Sequence, residues 1–134
     1  MNLDFSQITP YIPFMLEGIW VTLKFVGVAL IVGFILGTLL ALCKIGNIKI
    51  LNWFAIAYTS IFRGTPLILQ LMTFYFAIPQ LTGYDISPFL SAVLAFGLNS
   101  AAYISEIIRA GIQAVDKGQT EAAMALGVPY RQMM

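Results

Sequence analysis

Histidine is absent from this sequence, and cysteine occurs once, at Cys43. The missing histidine excludes histidine-based acid–base catalysis and most zinc sites. The single cysteine excludes a disulfide within the chain and a cysteine cluster for a metal. The sequence also lacks a phosphate loop ending in Gly-Lys-Ser/Thr and a Gly-x-Ser-x-Gly motif. We therefore expect no metal, no cofactor and no covalent chemistry in this chain.

Charge is scarce as well. Charged residues make up 10% of the 134 residues, whereas soluble domains carry about 25%. The formal net charge is +1, which gives no preference for nucleic acids or other polyanions. Apolar residues reach 60%, and the mean hydropathy is +0.88. Because a soluble domain of this size cannot bury so much apolar surface, the composition indicates a membrane protein.

Two stretches are long and apolar enough to cross a bilayer as helices. Residues 25–43 carry no charge, and we predict that this helix begins near Gly18, because Pro10 and Pro13 interrupt the segment before it. The predicted first span is therefore 18–43, with Lys24 close to one end, where its ammonium can reach the interface. The second clear span is 89–109, with Pro88 at its start.

The stretch between these spans, residues 50–79, is interrupted by Arg-Gly-Thr-Pro at 63–66. Each half is too short to cross alone as a helix. Two interpretations are open: a re-entrant hairpin with this turn at its tip, or one long helix bent at Pro66, which lacks the N–H needed by the helical ladder. We favour the bent helix, which gives three crossings in all.

The orientation follows from the lysine and arginine residues. The loop 44–49 holds two lysines, and the tail holds Arg109, Lys117 and Arg131. The segment before Lys24 and the loop 79–88 hold none. The positive-inside rule therefore places the N-terminus outside and the residues after about 109 in the cytoplasm.

Small residues recur at intervals of four in both clear spans. Such stripes let helices approach closely, so we expect the two spans to pack and further helices to be required. The stripes are Gly33, Gly37 and Ala41 in the first span and Gly97, Ala101 and Ser105 in the second.

The tail contains a short helix bounded on both sides. Asp116 can cap its start, with Gln119 completing a capping-box pattern, and Gly127 and Pro129 fit the end of a helix. The predicted helix, about 117–126, is too short to be stable alone, so it must dock either on another protein or on its own bundle. Residue chemistry alone leaves both alternatives open.

Three segments together carry a family resemblance. Residues 103–127 read YISEIIRAGIQAVDKGQTEAAMALG, residues 63–70 read RGTPLILQ, and Gly18 is followed by Thr22 and Leu23 at the first span. This chain resembles the membrane permease subunits of binding-protein-dependent ABC importers, in the polar amino-acid (histidine, glutamine, glutamate or arginine) branch. The Glu-Ala-Ala run before Gly127 is similar to the EAA loop of that family.

The resemblance implies an all-α integral membrane fold, the helical bundle of the type I ABC importer (MetI-like) permease. It implies that the tail helix is the coupling helix, which docks on a cytoplasmic ABC ATPase dimer where ATP is bound. An extracytoplasmic binding protein would deliver polar amino acids, and a second permease copy or a homologous permease would complete the assembly in the bacterial inner (plasma) membrane. The implied ATPase-docking residues are Glu121, Ala122, Ala123, Leu126 and Gly127.

Members of the resembled family carry about five spans, two of them after the EAA loop. This chain reaches Met134 shortly after the predicted coupling helix. We therefore expect residues 1–134 to be a single transmembrane permease domain that is incomplete at its C-terminus.

Polar residues inside a span are expensive and are candidates for a substrate pathway. Asn99, Arg63, Gln70 and Glu106 are the candidates here. Each has a second interpretation: an interhelical hydrogen bond for Asn99, a lipid or helix-end contact for Arg63, and a pair with Arg109 on one helix face for Glu106.

Two other classes of protein compete with an importer subunit. A membrane-embedded enzyme would need a converging nucleophile–base or metal set, which a chain without histidine and with one cysteine does not offer. The alternative is a small structural or channel-forming membrane subunit without ATPase coupling, but this gives no reason for a capped, alanine-rich cytoplasmic helix. The sequence indicates neither which amino acid is carried nor whether the permease is a homodimer or a heterodimer.

Overall fold

The computed structural model describes residues 7–129 and residue 132. All regular structure within them is helical: a 3₁₀ turn at Thr9–Tyr11, followed by α1 (Ile12–Ile45), α2 (Lys49–Gly64), α3 (Leu67–Met72), α4 (Ile78–Thr82), α5 (Pro88–Gln113) and α6 (Lys117–Ala125). Arg131 and Met134, which entered the sequence predictions, lie outside the described residues.

Two helices in the described part of the chain are long and apolar enough to cross a membrane. One is α1 with its leading 3₁₀ turn, at a mean hydropathy of 2.7, and the other is α5, at 1.3. A third crossing exists if α2 and the segment Leu67–Thr82 count as one broken span. The two clear spans of the sequence prediction are therefore present as long apolar helices, and the third of the three predicted crossings stays a prediction.

The first helix begins earlier than predicted. We expected its start near Gly18, whereas α1 begins at Ile12 and contains Pro13 in its first turn. Proline is tolerated there because the N–H that it lacks would have no partner within the helix anyway. Pro10 lies in the 3₁₀ turn that leads into α1. These two prolines therefore mark the entry of the helix rather than a segment outside it.

The middle stretch is broken rather than smoothly bent. α2 ends at Gly64, Thr65 and Pro66 are extended, and the helix that resumes at Leu67 lies at 101° to α2. Because Pro66 disfavours a helical conformation at the residue before it, the helix ends there. Whether the two arms cross the bilayer as one span stays a prediction.

The second arm contains one wider turn. Residues Thr73–Ala77 form a π-helical turn between α3 and α4, and Pro79 follows in the first turn of α4. A proline in a regular helix clashes with the carbonyl four residues earlier, and a π turn is one way to relieve that clash. The arm ends at Gly83, whose φ of +74° is the left-handed conformation typical of a helix end.

The core of the bundle is the seam between α1 and α5. A Cβ on Gly37 would lie 2.8 Å from the Ile104 side chain, and one on Gly33 would lie 2.8 Å from Ser100 Cβ. Ala41 and Ala101 are fully buried. The predicted packing of the two small-residue stripes is confirmed, because these positions bring the helix backbones close together.

The helix α2 closes one side of this seam. Ala55 joins Leu40 and Ala101 in the buried cluster, and the Tyr58 hydroxyl donates to the Leu98 carbonyl at 2.9 Å. The outward side chains of α1 and α2 are mostly large, apolar and exposed, as expected of surfaces that face lipid or further helices. The fold thus places one end of α1, α2 and α5 around a common point.

Candidate functional site

The helix α6 is bounded as predicted, with one difference in its cap. The Asp116 side chain accepts a hydrogen bond from the Gly118 N–H at 2.7 Å. Gln119 is joined to Asp116 only through backbone atoms, so the reciprocal side-chain bond of a capping box is not formed. The helix therefore begins with a simple aspartate cap.

The end of α6 is a Schellman motif. Gly127 has a φ of +73°, its N–H donates to the Met124 carbonyl at 3.0 Å, and the Val128 N–H donates to the Ala123 carbonyl at 3.0 Å. These two bonds satisfy carbonyls that a helix end otherwise leaves without partners. The left-handed conformation predicted for Gly127 is confirmed.

The surface of α6 is exposed on nearly every side. Leu126 is 83% exposed, and Glu121, Ala122 and Met124 are also exposed, while Ala123 is half-buried. Within the described part of the chain, α6 has no extended packing against another helix. A helix of nine residues with two good caps therefore projects from the bundle with Ala122, Ala125 and Leu126 uncovered.

A charge cluster joins α1, α2 and α5 at the end of the bundle nearest α6, and we define it as Lys44, Arg63, Glu106 and Arg109. The Lys44 Nζ lies 2.5 Å from Glu106 Oε1. Arg109 donates to Glu106 Oε2 through Nε at 3.0 Å and through one terminal nitrogen at 2.7 Å. The predicted pair of Glu106 and Arg109 is therefore confirmed, and it has a third partner, Lys44, from another helix.

Lys44 is the most buried member of the charge cluster. Its side chain is 2% exposed, and Nζ also donates to Thr59 Oγ1 at 2.9 Å and Ser105 Oγ at 3.2 Å. An ammonium has three N–H groups, so all of its donors are used. We counted Lys44 as a loop charge, which is wrong: it lies in the last turn of α1 and points into the bundle.

Arg63 occupies the rim of the charge cluster. Its NH1 lies 3.9 Å from Glu106 Oε1, beyond hydrogen-bond distance, and its side chain is 46% exposed. The guanidinium carbon lies 5.4 Å from the centre of the Tyr103 ring, within the range of a cation–π contact.

Asn99 and Gln70 meet at the break between α2 and α3. Gln70 Nε2 donates to the Phe62 carbonyl at 2.9 Å and to Thr65 Oγ1 at 2.8 Å, and Asn99 Nδ2 donates to the same Phe62 carbonyl at 3.0 Å. Asn99 also donates to Gln70 Oε1 at 3.2 Å. These amides satisfy a carbonyl that the end of α2 leaves without a helical partner.

Four sequence candidates thus form two separate groups in the described structure. Asn99 and Gln70 meet at the break, whereas Arg63 and Glu106 belong to the charge cluster. Sequence reasoning missed Lys44 as a member. The small-residue stripe offered the means to find it: Lys44 continues the face of Gly37 and Ala41 by one more turn, as Ser105 continues that of Ala101.

Residues 4–134 match the family described as "Binding-protein-dependent transport system inner membrane component". The chain therefore belongs to this family of inner-membrane transport permeases, and it is a permease component rather than an enzyme. Within the family, the chain is 63% identical over 134 residues to the arginine transport system permease protein ArtQ of Bacillus subtilis (strain 168), covering 100% of this chain and 61% of that protein.

Other relatives carry amino-acid transport in their names. A putative glutamine transport system permease protein GlnP of Rickettsia bellii is 53% identical over 123 residues, covering 92% of this chain and 56% of that protein. The glutamate/aspartate import permease protein GltK of Escherichia coli O157:H7 is 41% identical over 138 residues, covering 98% and 62%. The chain thus spans about three-fifths of the length of the curated relatives that it matches.

A solved structure shares the fold. The crystal structure of an amino acid ABC transporter with histidines aligns with a TM-score of 0.89 at 42% identity, covering 98% of this chain and 61% of that chain. The all-helical ABC importer permease fold expected from the sequence is therefore confirmed.

Proposed function

We propose that this chain belongs to the transmembrane subunit of an ATP-driven importer that moves polar amino acids across the bacterial inner (plasma) membrane. ATP is bound and hydrolysed by a separate cytoplasmic ABC ATPase dimer. An extracytoplasmic binding protein delivers the substrate, and a second permease, identical or homologous, completes the pathway. The substrate class is supported by the names of the relatives, because each name gives an amino acid with a polar side chain as the transported substrate.

The uncovered helix α6 is the observation that carries this proposal. A helix of nine residues is too short to persist by its own hydrogen bonds, and α6 gains little from packing on its own bundle. Its aspartate cap and Schellman motif hold the helix while its surface stays free. A groove on a partner protein would cover that surface, as in other cases where a short apolar helix face docks on a partner.

The proposed ATPase contact consists of a small flat surface, one carboxylate and the glycine that ends the helix. Ala122 and Ala123 allow close approach of a groove, and Leu126 supplies an apolar side chain. Glu121 adds an exposed carboxylate at the middle of the helix. Gly127 fixes the direction in which the chain leaves the helix.

The proposed orientation places the N-terminus outside and the residues after about 109 in the cytoplasm. The charge cluster supports it, because Lys44, Arg63 and Arg109 lie together at one end of α1, α2 and α5. Toward the other ends of α1 and α5 lie acidic residues: Glu17 in the first two turns of α1, and Asp85 just before α5. This asymmetry of basic residues is typical of a cytoplasmic face.

We propose that Asn99 and Gln70 hold the break between α2 and α3, rather than binding substrate directly in this conformation. Their amide groups are engaged with the Phe62 carbonyl and with each other, which supports an interhelical role. Glu106 is similarly engaged by Lys44 and Arg109. Of the four pathway candidates, Arg63 alone keeps a free and partly exposed donor group among the described residues.

The test is co-purification of an ABC ATPase with the tagged permease, extracted from its membrane in a mild detergent. Leu126→Ser removes an exposed apolar side chain from α6, and Leu81→Ser removes an equally exposed leucine, 85% against 83%, from the end of α4. Because both leucines are exposed, neither change should unfold the bundle. We expect Leu126→Ser to lose the ATPase and Leu81→Ser to retain it.

A second matched pair tests the end of α6. Gly127→Val and Gly83→Val each place a β-branched residue at a φ near +73°, so the local strain is alike. Only Gly127→Val should release the ATPase. If the folded parent protein purifies without any ATPase, or if both members of a pair behave alike, the importer proposal fails and a structural or channel-forming subunit takes its place.

A further inference from the structure

We infer that the charge cluster and the cavity beside it bind the phosphate headgroup of an anionic phospholipid from the cytoplasmic leaflet. This inference rests on the proposed orientation, which puts Lys44, Arg63, Glu106 and Arg109 at the cytoplasmic interface. Its ligand is a phosphodiester oxyanion carried by a lipid.

The cluster has an excess of positive charge. Three cationic side chains surround one carboxylate: Lys44 at 2.5 Å, Arg109 at 2.7 Å and Arg63 at 3.9 Å from the oxygens of Glu106. Among the residues that the structure describes, no second carboxylate lies within ion-pair distance of these three cations. The cluster therefore carries two positive charges that the protein does not neutralise at this place.

The spare hydrogen-bond donors lie on the arginines and on Gln113. Lys44 has none left, because its three N–H groups meet Thr59, Ser105 and Glu106. Arg109 makes one bond from each of its three nitrogens, which leaves donors on a group with five N–H bonds. Gln113 accepts from Arg109 through Oε1, and within the described residues its amide NH₂ has no acceptor.

A polar cavity lies beside the donors of Arg109 and Gln113, and Arg63 lies outside its walls with NH1 3.9 Å from Oε1 of the wall residue Glu106. The cavity has a volume of about 430 Å³, roughly fourteen water volumes at ~30 Å³ each, which is ample for a phosphate with a glycerol attached. Four other cavities, which lie elsewhere in the described structure, have largely apolar walls. The walls of the polar cavity are formed by Lys44, Asn52, Ile56, Glu106, Arg109 and Gln113.

The surroundings favour a lipid over a free phosphate ion. Ile56 lines the cavity, and Trp53 and Ile107, on two of the three helices that form it, have exposed apolar side chains. An exposed tryptophan is typical of the membrane interface, where a headgroup and its acyl chains meet. Basic pockets between transmembrane helices on the cytoplasmic side commonly hold anionic headgroups.

The experiment measures how much phosphatidylglycerol the purified permease retains relative to phosphatidylcholine. The protein is reconstituted in nanodiscs containing both lipids, and bound lipid is counted by native mass spectrometry after release. We expect phosphatidylglycerol to be enriched on the parent protein. Arg63→Gln should weaken its binding about fivefold, which corresponds to ~1 kcal/mol for one basic residue near an anionic headgroup.

The controls separate this cluster from general basic charge. Lys24→Gln removes a cation that lies over Trp20 in the first half of α1, far along the helix from Lys44, and it should leave the enrichment unchanged. Arg63→Lys keeps the charge and should keep the enrichment. Gln113→Glu adds a carboxylate to the wall of the cavity and should lower the enrichment as Arg63→Gln does.

Three results would overturn the inference: no enrichment of phosphatidylglycerol, equal loss with Lys24→Gln and Arg63→Gln, or no effect of both Arg63→Gln and Gln113→Glu. A further arm adds inorganic phosphate to protein in phosphatidylcholine nanodiscs. In this arm the melting temperature is compared with that of protein in nanodiscs containing phosphatidylglycerol. An equal rise from inorganic phosphate would assign the site to a free anion instead of a lipid. Lipid retention is measured without an ATPase, so its failure leaves the importer proposal standing, and failure of ATPase co-purification leaves the lipid result interpretable.

Discussion

Removing the negative charge of Glu106 should strongly destabilise the bundle, because Lys44 would then be a buried cation without a counter-charge. The Lys44 side chain is 2% exposed, and its nearest other charges, Arg63 and Arg109, are also positive. Breaking a buried ion pair by removing one partner costs about 3–5 kcal/mol. Glu106 is itself 23% exposed, so water moderates the effect, and we expect about 3 kcal/mol for Glu106→Gln.

The measurement is the free energy of unfolding in mixed detergent micelles, followed by tryptophan fluorescence during a titration with sodium dodecyl sulfate. A loss of about 3 kcal/mol lowers the folding equilibrium constant roughly 150-fold. The control is Arg109→Gln, which removes the more exposed partner of Glu106 and should cost at most about 1 kcal/mol. The double variant Lys44→Met/Glu106→Gln removes both members of the buried pair and should recover most of the lost stability, since methionine packs where the lysine chain lay.

Two results would refute this reasoning. One is a loss below about 1 kcal/mol for Glu106→Gln, which would mean that the buried ammonium does not depend on the carboxylate. The other is a double variant as unstable as Glu106→Gln alone. In that case the carboxylate would act through Arg109 and the rest of α5 rather than through Lys44.

Three other predictions use matched positions in the same helices. Gly37→Ala should destabilise the bundle by about 1–3 kcal/mol, because the added Cβ would lie 2.8 Å from the Ile104 side chain. The control Gly27→Ala should be neutral or stabilising, because nothing lies within 4 Å of its added Cβ, and thermal unfolding in detergent compares the two variants. Ser91→Ala should raise stability by about 1 kcal/mol, because within the described structure the Ser91 hydroxyl is buried without a hydrogen-bond partner. Ser105→Ala should lower stability, because the Ser105 hydroxyl accepts a hydrogen bond from Lys44, and equal shifts for the two variants would contradict this reasoning. Gln70→Met should cost about 1–2 kcal/mol by leaving Phe62 and Thr65 acceptors less satisfied, and Gln80→Met, an exposed glutamine of α4, should cost little in the same assay.

Features set by local chemistry could be predicted from the sequence. The start of α5 at Pro88, the left-handed Gly127 and the seam of Gly33, Gly37 and Ala101 all follow from rules that act within one helix or one stripe. The pair of Glu106 and Arg109 belongs to the same class, because residues three apart share a helix face.

Features that depend on two or more helices could not be predicted in the same way. The direction of the Lys44 side chain depends on α2, which supplies Thr59, and on α5, which supplies Ser105. The meeting of Asn99 and Gln70 depends on how sharply the chain turns at Thr65 and Pro66. A single sequence shows that a proline interrupts a helix, but the angle of the break is set by the packing on both sides of it.

The close contact of α1 with α5 has a consequence for movement within the bundle. Where a glycine has no room for even one added carbon, the facing helix cannot slide past it without separating from it, because the contact interlocks along its length. The two helices should therefore move together as one rigid body. The two extended residues between α2 and α3 form a hinge, because the regular helical hydrogen bonding is interrupted at them. A displacement of α6 would then be transmitted along α5 and would change the angle between α2 and α3 at Thr65 and Pro66.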